Sequence, residues 1–383
     1  MVHYRAPLFE RMSQLCASLG IDLEIFYGQP SQLELKRGDS AELPGGIRTH
    51  NRHFTLFDQE LVWQALPGRV RSADLIVMSQ ENRILSNYSL LLRNLFRRGN
   101  LAFWGHGRNF QSSHANGFRE TWKKFILGKV DWWFTYTELS AHVMADMGVP
   151  EGKITVLNNS IDSRSFKRDL NCVSHVRLAQ LRHAFGIGLS APVGLYCGTL
   201  NDEKRLDALV LACDRIREVH GDFQLFVLGD GPGVPFLVEA FQSRPGMHYV
   251  GEKRGIEKAE YFKLAQVVLN PGLVGLCIVD AFCAGLPLIT MAGSKHSPEI
   301  AYLKNDVNGI MTENDVSIYA DRIIELLADE PHRRALSINA LVASEHYSIE
   351  NMAANFVQGI KHCLARNGTV PATPLPVARR ESN

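Results

Sequence analysis

The stretch NPGLVGLCIVDAFCAGLPLIT, residues 270–290, decides the fold. The preceding residues VVLNPG (267–272) read as a short apolar strand that runs into a glycine turn. LPLITM (286–291) reads as the next strand. The segment between them is too apolar for a surface helix, so it is a buried one, starting near Gly275. Strand, glycine turn, buried helix, strand is the repeating unit of a parallel sheet covered on both faces. One acid, Asp280, sits inside this apolar run. A buried carboxylate is costly unless something binds it, and a helix N-terminus compensates its charge only in part. Asp280 is therefore expected to face a ligand. The plainer alternative is that it caps a backbone group in the core.

The same alternation extends in both directions. VGLYCGTL (193–200), FQLFVLGDG (223–231) and MHYVG (247–251) are further strands of the second half. In the first half IDLEIFYG (21–28), ADLIVMS (73–79), NLAFWGHG (100–107), DWWFTYT (131–137) and KITVLNNS (153–160) read as strands with helical patterns between them. The helix APLFERMSQLCASLG opens almost at the first residue, which leaves no room for the strand that begins a doubly wound domain. Strand signals lapse over 165–192, so the boundary between two Rossmann-like domains is placed there. The expected division is 1–172, 173–348, a helix at 349–366 and a disordered Pro-, Thr- and Ala-rich tail at 367–383. A chain of 383 residues agrees with two cores rather than one.

Forty-one basic and forty acidic residues leave a formal charge of +1, which gives no bulk electrostatic case for nucleic acid. No apolar run reaches the length of a membrane-spanning helix, and MVHYRAPLFERM has no apolar leader core. The seven cysteines are scattered and none forms a CxxC pair, which points to a reducing cytoplasm without structural zinc.

Further motifs could carry chemistry. In YCGTLNDEKRLDALVLACDRI (196–216), Gly198 follows a strand, and Lys204 and Arg205 precede a helix. That is the usual ligand position of open α/β sheets, and Lys and Arg suit phosphate; a solvated charged turn would look the same. VLGDGPG (227–233) places Gly229 in a second glycine turn, equally readable as a tight connection. His106, between glycines at the end of a strand, could act as a base or hydrogen-bond a substrate, or be an ordinary turn histidine. SLLLRNLFRRGNLAFW (89–104) and FRETWKKFILGKVDWWF (118–134) mix cations with large apolar residues, as segments on an anionic membrane surface do and as core helices with a basic face also do. GSKHSPEIAYLKNDVNGIMT (293–312) adds a polar loop with a helix start at Pro298.

In this order the motifs resemble the GT-B glycosyltransferases of the retaining family-4 type. The resemblance rests on GTLNDEKR, LGDGP, VGEKRGIEKAEYFKLAQVVLNPG, GLVGLCIVDAFCAGLPLI and PEIAYLKNDVNGIM, and is strongest over 190–330. It implies two Rossmann-like domains facing each other across a cleft, with a nucleoside-diphosphate sugar bound by the second and an acceptor by the first. Lys204 and Arg205 would then bind the diphosphate, and Gly198, Gly229 and Gly251 would let backbone approach the donor. His106 would lie near the transferred sugar, Asp280 would hold the ribose hydroxyls, and the N–H groups of Gly272, Leu273, Val274, Gly275 and Leu276 would bind sugar and diphosphate. The family's paired acids stand eight positions apart; here the second is Asp280 and the first position is Gly272, without a side chain. No cofactor or metal is expected. The implied reaction transfers a hexosyl or N-acetylhexosaminyl group to a lipid-linked glycan or polysaccharide precursor, in the cytoplasm at the inner face of the membrane. A nucleotide-sugar epimerase of the same fold and a catalytically silent subunit remain alternatives.

Overall fold

The computed structural model describes residues 5–29, 42–56, 59–96, 101–106 and 130–366. They fall into two compact units. The first holds residues up to 157 and returns from Glu350; the second runs from Asn158 to Ile349.

In the first unit, α1 (Ala6–Ser18) buries Leu8, Met12 and Cys16, an i, i+4, i+8 stripe. β5 (Ile76–Ser79), β6 (Leu101–Gly105), β7 (Trp132–Thr135) and β8 (Ile154–Val156) form a parallel sheet in sequential order. α2 (Leu85–Phe96) and α3 (Glu138–Asp146) provide connections. The strand expected over 21–28 shrinks to β1 (Phe26–Tyr27), which pairs with β2 (Ile47–Arg48) as a separate two-stranded ladder. β3 (Asn51–Leu56) and β4 (Gln59–Gln64) form an antiparallel hairpin apart from both. This unit is thus a split sheet among the described residues rather than one doubly wound sheet. Residues 1–4, ahead of α1, lie outside the described residues.

The second unit begins with α4 (Ser163–Cys172) and α5 (His175–Ala184), capped by the side chains of Asp162 and Ser174. Six strands follow: β9 (Val193–Cys197), β10 (Gln224–Leu228), β11 (Met247–Gly251), β12 (Val267–Leu269), β13 (Leu288–Met291) and β14 (Gly309–Thr312). They lie in the order β11-β10-β9-β12-β13-β14, all parallel. α6 (Leu206–Val219), α7 (Val234–Phe241), α8 (Gly255–Leu264) and α9 (Cys277–Cys283) connect β9 through β13 in turn, and α10 (Val316–Ala328) follows β14. Leu195, Phe226, Val268 and Leu288 pack into the core on one face, and Val227, Leu269, Ile289 and Ile310 into the core on the other. Both faces are dry, which is why these strands are continuous apolar runs. α11 (Glu330–His346) closes this unit.

The boundary falls at 157/158 rather than 172/173, because α4 packs Phe166 edge-on against Phe262 of α8 in the second unit. α12 (Ile349–Arg366) belongs to the first unit from Glu350 onward, where Phe356 stacks on Phe134 at 4.4 Å and meets Trp104 edge-on. Residues 367–383 lie outside the described residues. The membrane expectation for 89–104 and 118–134 changes where these segments are described. Leu101–Gly105 and Trp132–Thr135 are strands, and Phe103, Trp132, Trp133 and Phe134 are buried in the unit's own core. Residues 118–129 are not described. No helix among the described residues is long and apolar enough to cross a membrane.

Candidate functional site

The second unit's strand order reverses between β9 and β12, and the turns that leave these two strands stand at the carboxyl edge, where open α/β sheets bind ligands in a crevice. The first turn carries Gly198 to Arg205, the second Asn270 to Leu276. The two turns are hydrogen-bonded to each other. Leu273 N–H donates to the Glu203 carbonyl at 2.8 Å, and Lys204 Nζ donates to the Leu273 carbonyl at 2.5 Å. Asn270 Nδ2 adds a second bond to that carbonyl at 3.3 Å.

Gly272 is explained by this contact. A Cβ built there would stand 2.5 Å from Lys204 Cα and overlap the Glu203 carbonyl oxygen. The missing side chain makes room for the protein's own backbone, not for a ligand as the sequence suggested. No side chain of any size fits at this position, so the family's first acid has no counterpart here.

Lys204 is buried, although it carries a charge. Desolvation lowers its pKa, with Cys277 and Glu203 acting in the opposite sense. A buried ammonium has three hydrogens to place. One goes to Leu273, and an anion in the crevice would satisfy the others. Arg205, the other expected phosphate ligand, is oriented differently. It occupies the left-handed region (φ 51°) at the N-cap of α6, and its guanidinium bonds the Asn314 side chain on an exposed surface.

Val274 is held from the far side by the loop after β13. Its N–H donates to His296 Nδ1 at 3.1 Å, and its carbonyl accepts the Ser297 N–H at 2.9 Å. Ser294 Oγ donates to the Pro271 carbonyl at 3.3 Å. The expectation that all five N–H groups from Gly272 to Leu276 serve a ligand is therefore corrected. Those of Leu273 and Val274 are already used, whereas Gly275 and Leu276, just ahead of α9, donate to no described residue. The helix start expected at Pro298 is present as a short 3-10 helix, Pro298–Tyr302.

Asp280 lies on the buried α9, and its Oδ1 is 2.7 Å from Lys258 Nζ on α8. The Lys258 ammonium also sits 4.6 Å above the Phe166 ring and 5.6 Å from that of Phe262. Burial would lower the Lys258 pKa, but the Asp280 carboxylate outweighs it and holds the ammonium above its ordinary range. In this structure the carboxylate's partner is a lysine of the same unit. Lys258 and His296 are the two site-lining residues that sequence reading passed over. Nothing in the spacing of Lys258 and Asp280 marks them as a pair.

The remaining glycines line the neighbouring turns. Gly229 has φ 141°, and a Cβ there would overlap the Gly198 carbonyl, so these two turns pack backbone to backbone. Gly229 N–H donates to Gly251 and Gly198 N–H to Leu228. Gly251 is left-handed (φ 76°) with open space around its Cβ position.

His106 belongs to the first unit, at the end of β6. Its ring meets Tyr136 edge-on at 4.2 Å, and Arg5 lies over Trp104 and Tyr136. The crowded surroundings, and then the Arg5 cation, push the His106 pKa down to about 4. The ring keeps an edge open to solvent, which tempers the desolvation, yet both influences act in one direction. At pH 7 the imidazole is neutral and can donate or accept a hydrogen bond. No cluster of three or more His, Cys, Asp or Glu side chains suited to a metal occurs among the described residues.

Comparison with known proteins fits this architecture. The family described as Glycosyl transferases group 1 matches residues 191–329, the sheet that carries the crevice. D-inositol 3-phosphate glycosyltransferase of Xylanimonas cellulosilytica is 27% identical over 220 residues, covering 54% of this chain and 51% of that protein. Alpha-monoglucosyldiacylglycerol synthase of Acholeplasma laidlawii is 23% identical over 206 residues, covering 52% of this chain and 50% of that protein. The chain thus spans about half the length of the curated relatives it matches. The crystal structure of Anabaena HepE in complex with UDP superposes with a TM-score of 0.63 at 14% identity, over 89% of this chain and 100% of that one. The chain has the GT-B fold, and its residues 191–329 match the family described as Glycosyl transferases group 1.

Proposed function

We propose that the chain is a retaining glycosyltransferase. It would take a hexosyl or N-acetylhexosaminyl group from a nucleoside-diphosphate sugar and pass it to a lipid-linked glycan or polysaccharide precursor. The observation that carries the reading is Lys204: a buried ammonium at the switch point, with one hydrogen bond to the Leu273 carbonyl, beside a loop whose Gly275 and Leu276 N–H groups have no described partner. Transfer breaks the bond between the sugar's anomeric carbon and the diphosphate, and negative charge grows on the leaving oxygen. A fixed cation and oriented N–H groups in a water-poor crevice stabilise that charge without reorganising. The UDP complex of HepE and the lipid product named for the Acholeplasma relative support the donor and acceptor classes by analogy. Work at the inner face of the membrane, in the cytoplasm, belongs to the same reading.

Calorimetry with UDP-glucose, UDP-N-acetylglucosamine and GDP-mannose tests it, on the wild type and Lys204→Met. Binding that drops about tenfold or more in the variant is expected, as for a lost charge-assisted hydrogen bond. Equal binding of both proteins, or binding of the free nucleoside alone, would contradict the role given to Lys204. Turnover of a bound nucleotide sugar without any acceptor would favour an epimerase. Tight donor binding with no turnover would favour a silent subunit, the reading to which the closed first-acid position at Gly272 lends weight.

A further inference from the structure

We propose that His296 is a positioning residue of the crevice: as an imidazole with a bare Nδ1 it accepts the Val274 N–H and thereby sets the direction of the Gly275 and Leu276 N–H groups. The proposal rests on reading the 270–276 loop as the donor loop.

The hydrogen bonds fix the tautomer. His296 Nε2 lies 2.9 Å from the Met291 carbonyl, which can only accept, so Nε2 carries the proton. Nδ1 is then left as a lone pair, and it faces the Val274 N–H at 3.1 Å. The next residue completes the grip, since Ser297 N–H holds the Val274 carbonyl. Across the loop, Glu203 and Lys204 hold both polar groups of Leu273. Residues 273 and 274 are therefore clamped from two sides by side chain and backbone, and the chain leaves the clamp directly into the two unused N–H groups. Gly275 N–H shares one rigid peptide plane with the Val274 carbonyl, which Ser297 holds, and His296 fixes the plane immediately before it, so losing the His296 bond lets the pair swing together.

This arrangement has a sign with pH. A second proton on His296 would place an N–H on Nδ1 against the N–H of Val274, two donors face to face. Burial pushes the His296 pKa down, the Met291 carbonyl pulls it up, and the Lys204 cation lowers it again. Glu203 and Cys277 are the other titratable groups beside Lys204. The bare Nδ1 is thus kept at neutral pH, and acid removes it. Whereas Lys204 contributes charge, His296 contributes direction, so its loss should weaken the sugar-bearing donor through misplaced N–H groups.

Three variants of the full chain separate this role from simple packing. His296→Phe keeps a ring of similar size and loses both hydrogen bonds. His296→Asn places an amide oxygen near the position of Nδ1, so it can still accept from Val274. His296→Gln carries its amide further out, toward Met291, and leaves Val274 unbonded. Amide exchange of residues 272–276 is measured without ligand. Dissociation constants for UDP-glucose, UDP-N-acetylglucosamine and GDP-mannose are measured at pH 7.5. In His296→Phe and His296→Gln, exchange at Val274 should quicken about tenfold, and affinity for the donor that binds the wild type should fall about tenfold, the worth of one hydrogen bond. His296→Asn should restore both. Equal exchange and affinity in wild type and His296→Phe overturn the proposal, as does a failure of His296→Asn to restore them. If the wild type binds no nucleotide sugar, the donor reading falls, and the exchange measurement alone still decides whether His296 orients the loop.

Discussion

Gly272 and Gly275 are three positions apart in one loop, yet the structure separates them sharply. Alanine at 272 would drive its methyl into the backbone of Glu203 and Lys204, whereas alanine at 275 meets only Ser297 Oγ at an ordinary 3.5 Å. Overpacking against rigid backbone costs about 1–3 kcal/mol, so Gly272→Ala should unfold at clearly lower denaturant and Gly275→Ala close to wild type. Similar midpoints for both would show that the 203–204 turn yields easily. His106 supplies a second prediction at this scale. Its folded pKa, about 4, is below its ordinary value of 6.5, so the unfolded chain binds the proton first as pH falls. Stability is then fully present above pH 6.5 and is lost progressively down to about pH 4. His106→Phe should have a shallower acid limb in chemical denaturation between those values. An unchanged limb would mean that the Arg5 side of the pocket does not hold the ring neutral. Gly272, Lys204 and Asp280 stood out in the sequence, but their partners did not, and Lys258 and His296 were passed over. Gly272 is apolar-loop punctuation until the turn after β9 is laid against it.

Among the elements, α8 and α9 are joined by one buried charge pair. Lys258 lies 22 positions from Asp280 in sequence, on a different helix, so no periodicity within either helix could have shown the contact. The sequence raised the right question about a carboxylate in an apolar run; only the packing of α8 on α9 supplies a partner. Removing one member of a buried pair strands the other charge, at a cost of about 3–5 kcal/mol, whereas replacing both with apolar residues is often near neutral. Lys258→Met should therefore lower stability strongly, and Lys258→Met combined with Asp280→Leu should recover most of the loss. A double variant no better than the single would assign the damage to lost packing over Phe166 and Phe262. The same double variant also bears on ribose: donor affinity that survives it would remove Asp280 from the binding site.

At the scale of the molecule, the second unit was readable nearly strand by strand. The runs of β9, β10, β12 and β13 are buried on both faces, and such strands announce themselves, whereas the edge strand β14 was not named. The first unit was harder. Its sheet is split among the described residues, and the split depends on which strand pairs with which, a property no local pattern encodes. The basic-aromatic segments read differently where they are described: Trp132, Trp133 and Phe134 are strand residues buried in the core. The 157/158 boundary likewise follows from where α4 finds its apolar partners, not from any change in composition.

The central claim is that the crevice between the turns after β9 and β12 binds a nucleoside-diphosphate sugar through Lys204. Calorimetric titration of wild type and Lys204→Met with a nucleotide sugar, the matching nucleoside diphosphate and the bare nucleoside tests it most directly. The account predicts that the two diphosphates bind the wild type and lose about tenfold or more in the variant, while the nucleoside binds both proteins equally weakly. Identical affinities of wild type and variant for the diphosphates would contradict it.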